Sequence, residues 1–339
     1  MTDLALTFYS VLRMPVADII QCARAAEKAG FAYISVAESF YRDGAALAAA
    51  MACNTREVRF GTSVFPIYTR TPFQLAMAMA TLHEVSGGRM GYLSLGVGYR
   101  SRTENYFEIN IQRPRQRMRE YVEIVRLLLS GQDASYQGQL FQFHHFPKLV
   151  EKPLEIPIYF GYLGSAGSQM LQLAGQVADG VILNSLVTPE HLRHAREMLR
   201  QGAAKIGRDL SALRIASSVI YSVSDDAEEA ARAAKEDVLF YLGYPEVNPM
   251  LEQSGILEEA ELLRRVNRED GKEKALDLMS QRMLDSLAIY GDEHRCRTRL
   301  RELINASLDL PIIRVSNVPY SEKDKKRVFL RAIESLQGF

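Results

Sequence analysis

Four places in this sequence bring together residue types that can do chemistry. Glu38-Ser39 follows a short apolar run that reads as a strand, and a carboxylate at the C-terminal end of a barrel strand is where catalytic and ligand-binding groups sit. Its competing reading is an exposed loop acid paired with Arg42, an arrangement of small energetic value. Gly96-Val97-Gly98 ends another apolar run and leads into Tyr99-Arg100-Ser101. The spacing begins like a dinucleotide fingerprint, but Ser101 stands where the third glycine belongs. The polar stretch 102–113 is expected to intervene before the next helix, so Gly96 and Gly98 read either as turn residues or as a close backbone approach to a ligand.

The third place is Gly164-Ser165-Ala166-Gly167-Ser168, between a strand and a helix. Small residues there let backbone N–H groups approach a phosphate, and the helix start favours an anion. The alternative is a plain turn with Ser168 as helix cap. The fourth is the histidines, which do not cluster. His191 and His194 share a helix face without the acid of a metal motif, and so read as a solvated face. His144-His145 falls in a hairpin. No Gly-x-Ser-x-Gly elbow and no phosphate-binding Walker loop occurs.

These residues need elements to position them. Apolar runs at 4–8, 33–37, 58–64, 92–97, 158–161, 181–184, 213–223 and 312–316 read as strands. Helical patterns alternate with them. Pro15 opens the first helix from a first-turn position, with Val16, Ile19, Ile20 and Ala23 on one face and Gly30 beyond its end. Pro72 and Thr188-Pro189 open later ones. Strands alternating with helices argue for a parallel sheet, and the expectation is an α/β fold, a (β/α)₈ TIM barrel. An open doubly wound sheet is the runner-up. Two stretches exceed the barrel plan. One, within 132–150, alternates polar and aromatic residues around Gly138 and reads as a hairpin. The other, 227–286, reads as a charged helical excursion before the last strand, broken at Tyr244-Pro245 and Asn248-Pro249. The whole chain, 1–339, is read as one domain.

Composition narrows the partners. The 339 residues carry 41 Lys+Arg and 41 Asp+Glu, so net charge gives no reason to expect nucleic acid or an anionic membrane. The three cysteines lie far apart, without a Cys-x-x-Cys pair, which argues against disulfides and a zinc site and fits a reducing cytoplasm. No metal is expected.

From the third strand onward the sequence resembles the bacterial luciferase-like family of flavin- and deazaflavin-dependent oxidoreductases. The resembling segments are Phe60-Gly61-Thr62-Ser63-Val64 running to Tyr68-Thr69-Arg70-Thr71-Pro72, then Ser86-Gly87-Gly88-Arg89 and Leu95-Gly96-Val97-Gly98-Tyr99-Arg100. Further on come Glu120 to Gly131, Pro157 to Gly161, and Ala178-Asp179-Gly180 leading to Asn184. The resemblance implies a barrel holding FMN or coenzyme F420 at the C-terminal strand ends. It implies a non-prolyl cis peptide at Ser63–Val64 supporting the ring system, with Gly96 and Gly98 beside it. It places the cofactor phosphate at Gly164, Ser165, Ala166, Gly167 and Ser168, with Asn184 a further cofactor contact. Glu38, Ser39 and Tyr99 fall where relatives carry polar catalytic groups.

The sequence departs from the family at the catalytic positions, where no histidine stands at 38 or 39. It divides on cofactor. The stretch 68–72 looks like the deazaflavin branch, whereas Gly98-Tyr99-Arg100 and the hairpin segment 136–143 look like the FMN monooxygenases. The favoured expectation is a monooxygenase acting on a small organic substrate with reduced FMN and O₂, supplied by a separate flavin reductase. The alternative is F420-dependent hydride transfer, and a second alternative is a non-catalytic flavin-binding barrel. A homo-oligomer is expected.

Overall fold

The computed structural model describes residues 3–8, 14–38, 42–161, 167–316, 320 and 322–339. Eight parallel strands close into a ring: β1 (Ala5–Thr7), β2 (Tyr33–Val36), β3 (Arg59–Thr62), β4 (Met90–Gly96), β5 (Ile158–Gly161), β6 (Gly180–Leu183), β7 (Arg214–Val223) and β8 (Leu310–Val315). The ring closes where β6 pairs with β7, Gly180 opposite Arg214, and where β8 pairs with β1, Ile312 opposite Ala5. This closure excludes the open doubly wound sheet. Nearly every residue of these strands is buried, as expected for parallel strands covered on both faces.

The helices between strands are α1 (Val16–Lys28), α2 (Gly44–Ala52), α3 (Pro72–Val85), α4 (Arg100–Phe107), α5 (Pro114–Leu128), α6 (Gly167–Val177), α7 (Pro189–Ala204), α13 (Glu293–Asn305) and the closing α14 (Glu322–Glu334). Their start signals are legible. Thr71 and Gln74 form a reciprocal capping box on α3, and the Thr188 side chain accepts from the His191 N–H on α7. Ile19, Cys22, Ala23 and Ala26 bury one face of α1, at the spacing that its sequence predicts.

The structure corrects the sequence reading in three places. Pro15 precedes the first helical residue rather than occupying the first turn. Helix α4 opens at Arg100, directly after Gly98-Tyr99, where an intervening polar stretch was expected. Gly98 adopts a φ of +82°, which turns the chain from strand into helix within two residues. An unanticipated strand, Ala288–Gly291, pairs parallel with the second half of β7 outside the closed ring. The excursion between β7 and β8 is helical as read, and the first helix ends just before Tyr244-Pro245: α8 (Ala227–Leu242), α9 (Asn248–Gln253), α10 (Leu257–Glu269), α11 (Lys272–Leu278) and α12 (Gln281–Leu287). It has an apolar core of its own around Val238, Leu242, Leu251, Leu263 and Leu284.

The hairpin forms as expected, Ala134–Gln137 antiparallel to Gln142–Phe146. The buried carboxylate of Glu120 on α5 accepts the N–H groups of Gln139, Leu140 and Phe141, fixing the hairpin turn to the outside of the barrel.

Candidate functional site

Side chains alternate along the strands, so the barrel interior is built in layers. The lower layer is Ala5, Tyr33, Tyr92, Tyr159, Ile182, Ala216, Leu310 and Ile312. Two residues further along each strand, toward the C-terminal mouth, lie Thr7, Ser35, Ser63, Ser94, Gly161, Asn184, Ser218 and Arg314. The interior therefore changes from aromatic to polar within one layer.

The third strand shapes the mouth. Its register with β4 breaks at Phe60/Gly61, and the Ser63–Val64 peptide is cis, at the position expected. The Thr62 hydroxyl bridges the broken ladder, accepting from Ser94 N at 2.6 Å and donating to Ser94 O at 3.0 Å. Ser63 N donates to Val36 O at 2.9 Å, and Glu38 N donates to Val64 O at 3.2 Å. The Val64 side chain fills the space of two absent side chains. A Cβ on Gly161 would stand 2.0 Å from its Cγ1, and one on Gly96 2.6 Å from its Cγ2. The missing side chain of Gly96 thus makes room for Val64.

Glu38 is held tightly. Its carboxylate accepts from Arg70 Nε at 2.9 Å, Arg70 Nη2 at 3.2 Å and the Gly44 N–H at 2.8 Å. Its partner is Arg70, not Arg42, whose Nη2 donates to Met14 O at 2.6 Å. Arg70 also pairs with Asp43, which caps α2. Burial raises the Asp43 pKa, but the Ala46 N–H and Arg70 outweigh that and hold it below the usual range. Tyr121 in turn donates to Arg70 O at 3.1 Å, so helix α5 fixes the 68–72 loop that carries the arginine.

Several polar atoms in the mouth have no hydrogen-bond partner among the described residues. They are Ser63 Oγ, Ser94 Oγ, Asn184 Nδ2 and Ser218 Oγ, each on a residue at most 1% exposed. Orphaned polar atoms are costly when buried, and a ring of them above a glycine-lined shelf suits a planar heterocycle with donors and acceptors on its edge. The Asn184 Oδ1 already accepts from Ser185 N, which fixes the orphaned amide nitrogen's direction.

Other predicted residues distribute as follows. Tyr99 stacks on Tyr244 of the excursion, with ring centroids 4.2 Å apart. Gly167 opens α6 at a φ of +68°, and Ser168 Oγ lies 3.3 Å from His194 Nε2. Ser39, Gly164, Ser165 and Ala166 lie outside the described residues. The solvated reading of His191 fails. It is 2% exposed, with Nδ1 2.8 Å from Gln253 Oε1 of α9. Sequence reasoning also missed Arg70, Arg314 and Asp237. Arg314 and Asp237 form an ion pair that is almost wholly buried. Only the inward parity of Arg314, two residues past Ile312, signals it in the sequence. Among the described residues no group of three or more His, Cys, Asp or Glu side chains can hold a metal. No helix among them is long and apolar enough to cross a membrane.

Comparison with known proteins fits this geometry. The family profile described as luciferase-like monooxygenase matches residues 5–310. The 5,10-methylenetetrahydromethanopterin reductase of Methanolobus tindarius is 30% identical over 86% of this chain and 88% of its own length. A putative coenzyme F420-dependent oxidoreductase of Mycobacterium tuberculosis is 28% identical over 84% of this chain and 87% of its own. Among solved structures, the coenzyme F420-dependent tetrahydromethanopterin reductase from Methanopyrus kandleri superposes with a TM-score of 0.83 at 24% identity, covering 99% of this chain and 97% of that one.

Proposed function

This chain belongs to the luciferase-like monooxygenase family of oxidoreductases, and from that premise we propose that it is a coenzyme F420-dependent enzyme transferring a hydride between the deazaflavin and a small organic substrate. The observation that carries this reading is the pair of curated relatives matched along most of their length, one a reductase and one described as F420-dependent. The order of the two cofactor readings is thereby reversed from the one the sequence favours. A physical reason supports the reversal. The hairpin segment 136–143, which resembles the monooxygenases, packs outside the barrel, with Phe143 against Phe73 of α3. It therefore adds none of the unpartnered polar atoms at the mouth. The 68–72 stretch, which resembles the deazaflavin branch, supplies the Arg70 that holds Glu38 beside Val64.

When bound, the cofactor supplies a ring carbon that gives or takes a hydride; the protein supplies shape and electrostatics. Val64, seated between Gly96 and Gly161, would serve as the shelf for the ring. Ser63, Ser94 and Asn184 would offer polar atoms to it. Gly167 and Ser168, with the residues before them, would hold the phosphate, His194 standing beside Ser168. Glu38 acts from beside the shelf: its backbone N–H fixes the Val64 carbonyl, and its carboxylate is committed to Arg70. Tyr99 and the 227–286 excursion border the substrate side.

The test is titration of the purified protein with F420 and with FMN, each oxidised and reduced, followed by anaerobic turnover. Binding of F420 with hydride transfer in the absence of O₂ supports the proposal. Binding of reduced FMN alone, with turnover that consumes O₂ and requires a flavin reductase, overturns it in favour of the monooxygenase reading.

A further inference from the structure

Two contacts, one on helix α8 and one just past its end, tie the excursion to the barrel. The first is the ion pair between Arg314 Nη1 and Asp237 Oδ2, 2.5 Å apart, with the two side chains 2% and 0% exposed. Arg314 is on β8, facing into the barrel, and Asp237 is on α8. Tyr241, one turn beyond Asp237 on the same helix face, places its ring 4.9 Å from the Arg314 guanidinium carbon. The second is the stack of Tyr244, just past the end of α8, on Tyr99 at the end of β4. Phe240 braces that stack edge-on, its ring 5.5 Å from Tyr244.

The strand order makes these two contacts opposite. Around the ring, β8 is followed by β1, β2, β3 and then β4, half the circuit away. The seven steps from Asp237 to Tyr244, at about 1.5 Å of rise each, cover roughly 10 Å. That matches a crossing over the opening of an eight-stranded barrel, which is only wide enough for side chains or one small ligand.

We infer that α8 is a strap across the barrel mouth, anchored on β8 by Asp237–Arg314 and on β4 by Tyr244–Tyr99, and that these are positioning residues setting the roof of the substrate compartment. An ion pair suits the β8 anchor. Burying two charges costs roughly what their attraction returns, so such a pair adds little net stability. What it adds is direction: only one rotation of α8 presents Asp237 to Arg314. That rotation turns Tyr241 onto the guanidinium and carries the chain toward Tyr99. The aromatic anchor, by contrast, is only part-buried and lies beside the Gly96–Gly98 turn, where the compartment must open to admit a substrate.

The strap itself does not depend on the redox reading; only its effect on turnover does. The chain has no tryptophan, so Tyr244→Trp gives a single reporter that keeps an aromatic ring in the stack. The experiment measures acrylamide quenching of that reporter, without cofactor, in the presence and absence of Asp237→Asn. Expected is a clear rise in quenching with Asp237→Asn while far-UV circular dichroism stays folded. Unchanged quenching overturns the strap, because the two anchors are then independent. Should Asp237→Asn not fold, Tyr99→Ala provides the second arm by native-state hydrogen exchange. Amides of α8 are expected to exchange about tenfold faster, with the β1–β8 amides unchanged. Uniform change across the barrel, or none in α8, overturns it. In the active enzyme, Tyr244→Ala should raise the KM for the organic substrate and leave cofactor affinity unmoved. If no cofactor supports turnover, the proposed function fails while the quenching and exchange results still decide the strap.

Discussion

The two ends of the barrel interior solve opposite problems. The floor is filled by three tyrosines over three glycines. A Cβ on Gly61 would meet the Tyr92 ring at 2.1 Å, one on Gly91 the Tyr33 ring at 2.4 Å, and one on Gly180 the Tyr159 ring at 2.7 Å. Tyr92 stacks on Tyr159 with centroids 4.8 Å apart, and its buried hydroxyl finds Ser35 Oγ at 2.9 Å. Burial pushes the Tyr92 pKa upward, so the phenol stays neutral. The mouth, one layer higher, also sets a large residue over glycines, Val64 over Gly96 and Gly161, but surrounds it with polar atoms left without partners. The same packing device completes the core at one end and prepares a surface at the other. What separates them is whether the polar groups are satisfied within the chain.

That contrast breaks most visibly at Gly61. Gly61→Ala drives a methyl into the Tyr92 ring, which is stacked and has nowhere to go. Overpacking of this kind costs about 1–3 kcal/mol or more, and the upper end is expected here. Thermal unfolding should show a large fall in melting temperature or no folded protein, and Tyr92→Leu in the same chain should recover part of it. A Gly61→Ala protein that melts like the parent would remove the floor as described.

Gly161→Ala makes the matching change at the mouth. Its Cβ would stand 2.0 Å from Val64 Cγ1 and 2.5 Å from Ser94 Oγ. Val64 has space above it, so it shifts rather than unfolding the barrel. Melting temperature should fall less than in Gly61→Ala, while cofactor affinity falls at least tenfold, about 1.4 kcal/mol. Val64→Ala added to this variant should restore the melting temperature but not the affinity. Equal stability losses in Gly61→Ala and Gly161→Ala, with affinity intact, would erase the distinction between the two ends.

The legibility of the sequence divides along the same line. Every barrel strand could be read from its apolar run, because burial on both faces writes itself into composition, and the part-exposed hairpin from its alternation of polar and aromatic residues around Gly138. Two segments of the family resemblance, Ser86-Gly87-Gly88-Arg89 and Ala178-Asp179-Gly180, turn out to serve the closed end. Arg89 of Ser86-Gly87-Gly88-Arg89 donates to Ser86 O, Val58 O, Ala52 O and Thr55 O, gathering the loops around α2, β3 and α3. Asp179 accepts from Ile158 N at 2.8 Å and pairs with Arg126. The mouth was less legible, because its chemistry arises from residues distant in sequence. Glu38 needs Arg70, Val64 needs Gly161, and Arg314 needs Asp237 from an excursion with no local motif. Helix α4 was missed because Arg100 to Phe107 shows neither a capping side chain nor an apolar face.

Glu38→Gln sharpens the mouth further. It keeps the shape and the backbone N–H to Val64 O but weakens the bidentate grip of Arg70, and a hydrogen bond to a charged group is worth about 1.5–3 kcal/mol. If Glu38 acts by holding the shelf, cofactor affinity and turnover should both fall several-fold. If it moves a proton during the reaction, turnover should fall by about 10²-fold or more with affinity unchanged. Binding titrations beside steady-state rates separate the two outcomes.

The smallest expected effect lies where the excursion meets the barrel wall. His191 of α7 is buried against Gln253 of α9, and Thr188 at the start of α7 meets Ser254 at 2.8 Å. Burial lowers the His191 pKa from its ordinary 6.5, the Gln253 contact offsetting this only in part. As pH falls, the unfolded chain therefore takes up this proton before the folded one does. The stability tied to the neutral imidazole is complete above about pH 6.5 and is lost as pH falls through the lower folded value. His191→Gln cannot titrate, so its melting temperature should fall less than the parent's between pH 7.5 and 5.5. The difference should be on the order of a degree or two in a chain this long. Because the imidazole joins two elements rather than filling the barrel, hydrogen exchange at pH 5.5 should quicken in α7 and α9 of the parent while the amides of β4 and β5 stay protected. Identical pH profiles for parent and His191→Gln would mean that the excursion is held without this histidine, and the junction would then rest on Thr188–Ser254 and apolar packing alone.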